Sequence, residues 1–308
     1  MPADRNRPLA IIVVNYGSVG LLADSLVRTV RSVRPDCVVV VDNRTTAEER
    51  QAVRQLTDRL DWMLVAPERN LGFGGGMNLG VAAARRAGAR DFLLLNPDAV
   101  IERESVDSLR GATDPDGLAM LAPVIRDPQG AIWFAGADVY LVDGAIRSRA
   151  RRSDHPGAPF WEWLSGACLL VQEEAWDLVG GFDEEYFLYW EDVDLSRRLV
   201  ERGGRISVVP HAEAVHDEGG TQRDPGSTAR AKSALYYYYN IRNRMLFASK
   251  HLDAAGVRRW QRKSVSAAWE VLLRGGRRQF LQSAMPVIAA WRGLRDAQRI
   301  VRNCPDPR

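Results

Sequence analysis

The chain has 308 residues, 46% hydrophobic and 26% charged, which excludes a disordered tail or a fibrous repeat and allows a substantial buried core. No apolar run approaches the roughly 18 residues of a spanning helix, and the stretch 9–14 is too short for a signal-peptide core. The net charge of +3 hides an asymmetry: residues 228–308 carry 17 Lys/Arg against 4 Asp/Glu, leaving 25 basic and 35 acidic residues in 1–227. A basic tail on an acidic body suits phosphate, as nucleic acid, anionic lipid or a pyrophosphate substrate. Cys37, Cys168 and Cys304 share no metal-ligand or disulfide spacing, which fits a reducing, cytoplasmic compartment.

Short runs rich in Val, Ile and Leu at 9–14, 37–41, 63–66 and 92–95 read as buried strands. Helical periodicity fills the intervals at 19–33, 46–60 and 77–87. This alternation predicts a Rossmann-like, mostly parallel sheet flanked by helices, with ligands beyond the carboxyl ends of the strands. The residues just past the strands therefore matter most: Asn15, Asp42-Asn43, Arg69-Asn70 and Asn96-Pro97-Asp98. From 112 to 175 the pattern becomes short strands at 118–125, 131–134 and 163–171. Helices follow at 173–179 and 191–202, a strand at 205–209, and a polar segment to Gly226. The remainder, 227–303, reads as mostly helical, with breaks near Gly256 and Gly275-Gly276. The organisation expected is a catalytic domain over 1–227, with halves at about 8–110 and 111–227, and a basic helical region over 228–308.

The glycine cluster 70–80 follows a strand and opens a helix, where free backbone N–H groups favour an anion. It lacks the G-x-G-x-x-G spacing. Close helix packing is the even alternative, and the flanking Asn70 and Asn78 favour a ligand-facing loop. Asp42, at a strand mouth, can accept from a base imide or ribose hydroxyl, or serve as a turn residue. Asp98, stiffened by Pro97, is a candidate hard-cation ligand, and His216 a candidate partner to it, although such residues are often structural. The stretch 182–195 interleaves aromatics with six carboxylates; burying a carboxylate among rings raises its pKa unless it has a partner or a task. Helix capping explains the acids there but not the aromatics.

The order of Asp42-Asn43, Arg69-Asn70-Leu71-Gly72-Phe73-Gly74 with Asn78-Leu79-Gly80, Asn96-Pro97-Asp98, Glu191-Asp192-Val193-Asp194-Leu195 with Arg198, and then His216 resembles glycosyltransferase family 2, nearest its rhamnosyltransferase-like branch. The likeness covers about residues 8–250. It implies the GT-A fold and inverting transfer from a nucleotide-activated sugar, most readily dTDP-L-rhamnose, to a hydroxyl of a saccharide, lipid-linked or natural-product acceptor, with a divalent metal, Mn²⁺ or Mg²⁺. Carried onto this sequence, it puts Asn15, Asp42, Asn70, Gly72, Asn78, Asn96 and Arg242 at the donor and Asp98 and His216 at the metal. Asp192 becomes the general base, Glu191 its catalytic neighbour, and Tyr189 and Trp190 acceptor contacts. The family's D-x-D is here Asn96-Pro97-Asp98, so one metal-binding carboxylate is replaced by an amide.

The tail keeps two readings. Residues 236–244 resemble the branch's tyrosine-rich segment before Arg-Asn, and Arg242 and Arg244 can approach a phosphate or sit solvated on a packed helix. Trp260, Val265, Trp269, Leu272, Leu273 and Trp291 recur at helical spacing among arginines, which suits an anionic membrane surface or packing on the catalytic domain or a second copy. The chain is thus expected to be cytoplasmic, with peripheral membrane contact and a homodimer both open. A UDP- or GDP-sugar donor and a non-catalytic nucleotide-sugar-binding protein stand as alternatives. Nucleic acid is not expected as a partner, because no reading motif is present and the acidic body repels phosphate.

Overall fold

The long apolar runs become strands because parallel strands buried on both faces need side chains that never meet water. In the computed structural model, which describes residues 7–113, 116–217 and 232–303, these are β1 (Leu9–Asn15), β2 (Cys37–Asp42), β3 (Met63–Val65) and β4 (Asp91–Leu95). There follow β5 (Ala99–Ile101), β6 (Ala119–Arg126), β7 (Ile132–Phe134), β8 (Ala137–Tyr140), β9 (Ile146–Ser148) and β10 (Phe160–Trp163). The last two are β11 (Cys168–Gln172) and β12 (Arg205–His216). The main sheet runs β3-β2-β1-β4-β11-β6-β12-β5, with β7 on β6, and β10-β8-β9 form a separate sheet. Strands β3 to β4 pair in parallel, whereas β11 is antiparallel to both its neighbours.

The register fixes where the sheet carries polar groups. Asn15 lies opposite Asp42, and Val13 opposite Leu95, so Asn15, Asp42 and Asn96 come to the carboxyl ends of three adjacent strands. The antiparallel pairing of β12 with β5 sets His216 opposite Ala99, one residue from Asp98. That pairing exists because β12 continues past the expected end at Val209, through a register shift between Val209 and Glu213, to His216. The expected polar segment to Gly226 begins as this strand, and its residues 218–226 lie outside the described ones.

Three other expectations are corrected. The helix expected at 77–87 begins at Gly72, so the glycines of the 70–80 cluster lie inside the helix rather than in a loop before it. A Cβ at Gly76 would come within 2.9 Å of a Val14 methyl, one at Gly74 within 2.9 Å of the Phe182 Cβ, and one at Gly80 would overlap Ile12. The glycines let this helix lie on β1 more closely than side chains allow. The single strand expected at 163–171 is two, β10 and β11, parted by residues 164–167. Gly256 sits inside the helix Ala254–Arg262; the break falls before it, where Asp253 caps the helix by accepting from the Gly256 N–H at 2.7 Å. The break at Gly275-Gly276 stands between the helices Ser264–Leu273 and Gln279–Gln282.

The described residues divide into two compact units. The first comprises residues 7–137, 162–187 and 191–217 and contains the main sheet. The second comprises 138–161, 188–190 and 232–303, so it is more than the basic tail. Its core joins Tyr237 and Ile241 of the helix Ala234–His251 to Ala268, Val271 and Leu272 and to Ala289 and Ala290 of the helix Met285–Asn303. Among the described residues no helix is long and apolar enough to cross a membrane.

Candidate active site

The first unit gathers its polar residues at the carboxyl ends of β1, β2 and β4. Asn15 is fully buried, and its amide is spent locally: Oδ1 accepts from the Ser18 N–H and hydroxyl, and Nδ2 donates to Glu49 Oε1 at 3.1 Å. Asp42 is equally buried; Oδ2 accepts from Arg50 Nε at 2.6 Å, while Oδ1 has no hydrogen-bond partner. Asn43 donates to the Gly72 carbonyl and accepts from the Leu71 N–H, both at 2.8 Å, tying the β2 end to the start of the glycine helix. Asn70 Oδ1 accepts from the Gly72 N–H at 2.8 Å. Gly72 is left-handed at φ 75°, and a methyl there would overlap the Phe187 carbonyl.

Asn78 faces a different task. Its amide accepts from the Phe182 N–H at 2.8 Å and donates to the Phe182 carbonyl at 2.9 Å and to Glu184. It therefore straps the 182–184 loop to the glycine helix. Asp194 and Arg198 are a second brace: they pair at 2.6 Å, the Tyr186 hydroxyl donates to Asp194, and Arg198 donates to the carbonyls of Val179 and Gly181. Half of the acidic and aromatic stretch is thus spent holding the loop before the helix Glu191–Glu201.

That leaves two groups with chemistry to offer. His216 Nε2 lies 3.1 Å from Asp98 Oδ1 and 3.4 Å from the Asn96 amide nitrogen, with the Trp133 ring edge-on at 4.6 Å. Both Asp98 and His216 are buried; His216 Nδ1 has no hydrogen-bond partner, and Asp98 Oδ1 has only the His216 ring nitrogen beside it. Buried polar atoms left unpaired carry a cost that a ligand would relieve. Among the described residues no three His, Cys, Asp or Glu side chains cluster as a metal cage. A carboxylate and an imidazole nonetheless fit a divalent ion that completes its shell with substrate phosphates and water.

The second group is Glu191-Asp192. Asp192 accepts from the Gly166 N–H at 3.0 Å and from the Val193 N–H at 2.9 Å. Burial pushes its carboxyl up to about 6, opposed by those donors. Glu191, with Oε2 unpartnered, is driven well above the carboxylate range by burial and then by the Asp192 charge, so it is protonated while Asp192 ionises. One turn links the two groups: the Gly166 N–H binds Asp192, and the next carbonyl, of Ala167, accepts from the Asn96 N–H at 2.9 Å. Gly166 is a site-building residue that the sequence reading did not single out, and Asn43, flagged there only as a strand-end residue beside Asp42, proves to be another. The only signal for Gly166 was its place in a Ser-Gly-Ala break within an apolar run.

The remaining candidates belong to the second unit. Tyr189 packs its ring edge-on to Tyr236 at 5.3 Å, and buried Trp190 lies among Phe247 and Trp260. Arg242 donates to the Asn243 amide oxygen at 2.6 Å, and the Asn243 amide nitrogen donates to the carbonyls of Leu188 and Tyr189. Tyr189 and Trp190 sit at φ 64° and 74°, and Phe187 before them at 62°. Left-handed bulky residues are strained and persist only where their surroundings hold them.

The family model "Glycosyltransferase like family 2" matches residues 6–244. The chain is 34% identical over 232 residues to an N-acetylglucosaminyl-diphospho-decaprenol L-rhamnosyltransferase of Mycobacterium tuberculosis, covering 67% of this chain and 75% of the relative. It is 24% identical over 216 residues to the dTDP-rhamnosyl transferase RfbF of Shigella flexneri, covering 70% and 71%. Among solved structures it is similar to GalNAc-T7 with UDP, GalNAc and Mn²⁺ (TM-score 0.63, 14% identity), covering 98% of this chain and 59% of that one. It is also similar to a mannosyltransferase of Pyrobaculum calidifontis with GDP-Man and Mn²⁺ (TM-score 0.55, 17% identity, 98% and 76%). These neighbours share the GT-A fold.

Proposed function

The chain belongs to glycosyltransferase-like family 2, and from that premise we propose that it is an inverting rhamnosyltransferase that takes L-rhamnose from dTDP-L-rhamnose to a saccharide hydroxyl. The choice of sugar rests on relatives whose names carry rhamnosyl transfer, one of them L-rhamnosyl. The observation that carries the chemistry is the shared turn: Gly166 holds Asp192, Ala167 holds Asn96, and Asn96 adjoins the Asp98–His216 pair. An acceptor-activating base and an anion-neutralising site then flank one sheet end.

Asp192, ionised near neutrality, would take the acceptor hydroxyl's proton as its oxygen attacks the anomeric carbon; one displacement inverts that carbon and needs no covalent enzyme intermediate. The Gly166 and Val193 N–H groups aim the carboxylate. Protonated Glu191 would offer the acceptor pocket a hydrogen-bond donor rather than a second charge. Asp98 and His216 would hold Mn²⁺ or Mg²⁺, which when bound supplies neutralisation of the charge developing on the diphosphate leaving group. Asp42, through its unpartnered oxygen, would accept from the base or ribose of the nucleotide. Asn70, Gly72 and Asn43 would shape the pocket floor through the backbone they fix.

The helices of the second unit would meet an anionic membrane surface. Trp269 and Trp291 are 54% and 60% exposed and Leu281 90%, and residues 254–303 carry 11 Lys/Arg against two acids; exposed aromatics among cations match an acidic headgroup layer.

Purified protein with Mn²⁺ and a saccharide acceptor, offered dTDP-L-rhamnose, UDP-sugars and GDP-sugars in parallel, tests the reading. Rhamnosylated product and dTDP release are expected. Transfer only from UDP- or GDP-sugars overturns the donor, and dTDP-rhamnose binding without transfer to any acceptor leaves a sugar-nucleotide binder.

A further inference from the structure

The aromatic acceptor contacts expected at Tyr189 and Trp190 fall in the second unit, where Tyr189 packs on Tyr236 and Trp190 on Phe247 and Trp260. The first unit carries aromatics of its own beside the two reactive groups. Trp133 of β7 meets the His216 ring at 4.6 Å and the Phe134 ring at 6.3 Å, and Phe134 lies 5.5 Å from Trp163 at the end of β10. Trp163 is held against the helix that bears Asp192. The N–H of the next residue, Leu164, donates to the Ser196 hydroxyl at 3.1 Å, and that hydroxyl donates to the Asp192 carbonyl at 2.8 Å. Two residues further on, the Gly166 N–H binds the Asp192 carboxylate. The row of three rings therefore runs from the Asp98–His216 pair to the segment that aims the base.

Two features of this row ask for a ligand. Trp133 is 37% exposed, on a strand paired only with β6 among the described residues; large apolar surface left open beside reactive groups marks a binding groove. The Trp163 Nε1–H is buried and has no acceptor among the described residues, and an indole nitrogen can only donate. The face of an aromatic ring attracts the positive ends of C–H bonds, and an unmet N–H seeks an oxygen. A sugar ring presents both, a face of C–H bonds and hydroxyl oxygens around its rim.

We propose that Trp133 and Trp163 form a sugar subsite for the acceptor: one pyranose ring lays its C–H face on Trp133, and a hydroxyl of the same saccharide accepts from the Trp163 N–H. Both residues bind and orient; neither takes part in proton transfer or holds the metal. The inference rests on the glycosyltransferase reading for calling the sugar the acceptor, whereas the open ring and the unmet N–H do not depend on it. The donor's own sugar offers the same chemistry, and the test separates the two.

Two measurements on the full chain test this. In the first, fluorotryptophan-labelled protein with Mn²⁺ and dTDP is titrated with methyl glycosides of glucose, galactose, N-acetylglucosamine and rhamnose, each in turn, and followed by fluorine NMR. The Trp133→Phe and Trp163→Phe variants assign the two resonances. Both are expected to shift with at least one glycoside, and no shift at Trp133 with any of them overturns the proposal. The second is steady-state transfer. Trp133→Ala should raise the acceptor KM about tenfold, and Trp163→Phe, which keeps a ring and removes the N–H, several-fold. Donor KM and the Mn²⁺ concentration for half-maximal transfer should not move. Trp133→Phe should restore most of the acceptor affinity, and Ile132→Ala, exposed on the same strand, should change nothing; circular dichroism checks that each variant folds. Transfer with an acceptor KM that Trp133→Ala leaves unmoved overturns the proposal and spares the enzymatic reading. A rise in donor KM instead assigns the rings to the donor's sugar, and a rise in the Mn²⁺ requirement alone reduces Trp133 to a prop for His216; either overturns the proposal. If no donor supports transfer while both resonances still respond to a glycoside, the enzymatic reading fails and the sugar-binding surface stands.

Discussion

The assignment of Asp192 as base makes a pH prediction with a number in it. Burial holds its folded-state carboxyl at about 6, against an ordinary aspartate value of 3.8. A raised acid pKa means that the base is lost as pH falls through that value, so kcat/KM should have an acidic limb there. One unit below it, roughly a tenth of the enzyme carries the ionised base, and one unit above it roughly nine-tenths, so the rate should fall about tenfold across those two units. Asp192→Asn should remove the limb and lower kcat by about 10²- to 10⁴-fold, the usual worth of a positioned base. Glu191→Gln should lower the plateau yet leave an acidic limb, because burial and the Asp192 charge favour the protonated form of Glu191, so the substitution removes little charge. The assay is initial-rate dTDP release from pH 4.5 to 8 at subsaturating acceptor. A limb that persists in Asp192→Asn and vanishes in Glu191→Gln would transfer the role to Glu191. A wild-type profile flat through that interval would refute the reasoning for both.

Gly72→Ala should cost about 2–4 kcal/mol in chemical denaturation, combining a left-handed alanine with an overlap on the Phe187 carbonyl. Gly88→Ala, also left-handed but in open space, should cost about 1 kcal/mol; equal losses would show that the overlap does not matter. Asp98→Asn and His216→Ala should each raise the Mn²⁺ concentration for half-maximal transfer tenfold or more, read by metal titration, whereas unchanged metal dependence in both would remove them from the metal. Trp269→Glu combined with Trp291→Glu should abolish co-sedimentation with phosphatidylglycerol vesicles while solution activity on a soluble acceptor persists. Wild-type binding should fall with salt, and equal binding to phosphatidylcholine would argue against an electrostatic contact.

The sequence revealed the strands more readily than the helix over the glycines, and the reason is physical. Runs such as 37–41 and 92–95 are apolar on both faces, a pattern that buried parallel strands produce directly. The helix from Gly72 has no such signature, because glycine is a poor helix former and a good turn former. What makes it helical is the fit of Gly76 and Gly80 against Val14 and Ile12 on β1, a contact between distant parts of the chain. The extension of β12 was hidden for a similar cause: Pro210, His211 and Glu213 read as a polar loop, yet pairing with β5 and β6 carries the strand on to His216.

The site was legible as a set of residue types and less so as a division of labour. Asp42 and Asp98 stand out in the sequence as polar groups where apolar runs end, Asp192 as an acid among aromatics and His216 as a rare imidazole, and each is left in the fold with an open oxygen or nitrogen, a close ring neighbour or a shifted pKa. Asn15 and Asn78 stand out equally, but their amides are consumed in fixing loops. Residue type does not separate these cases, since an amide beside a strand end can as easily hold the chain as hold a ligand; the hydrogen-bond count does, because a group with every donor and acceptor spent has nothing to give a substrate. By that criterion Asn15 and Asn78 would act on a donor only through the backbone they fix, whereas Arg244 is a buried cation whose Nε has no acceptor and whose burial the charges of Asp143 and Glu270 only partly offset.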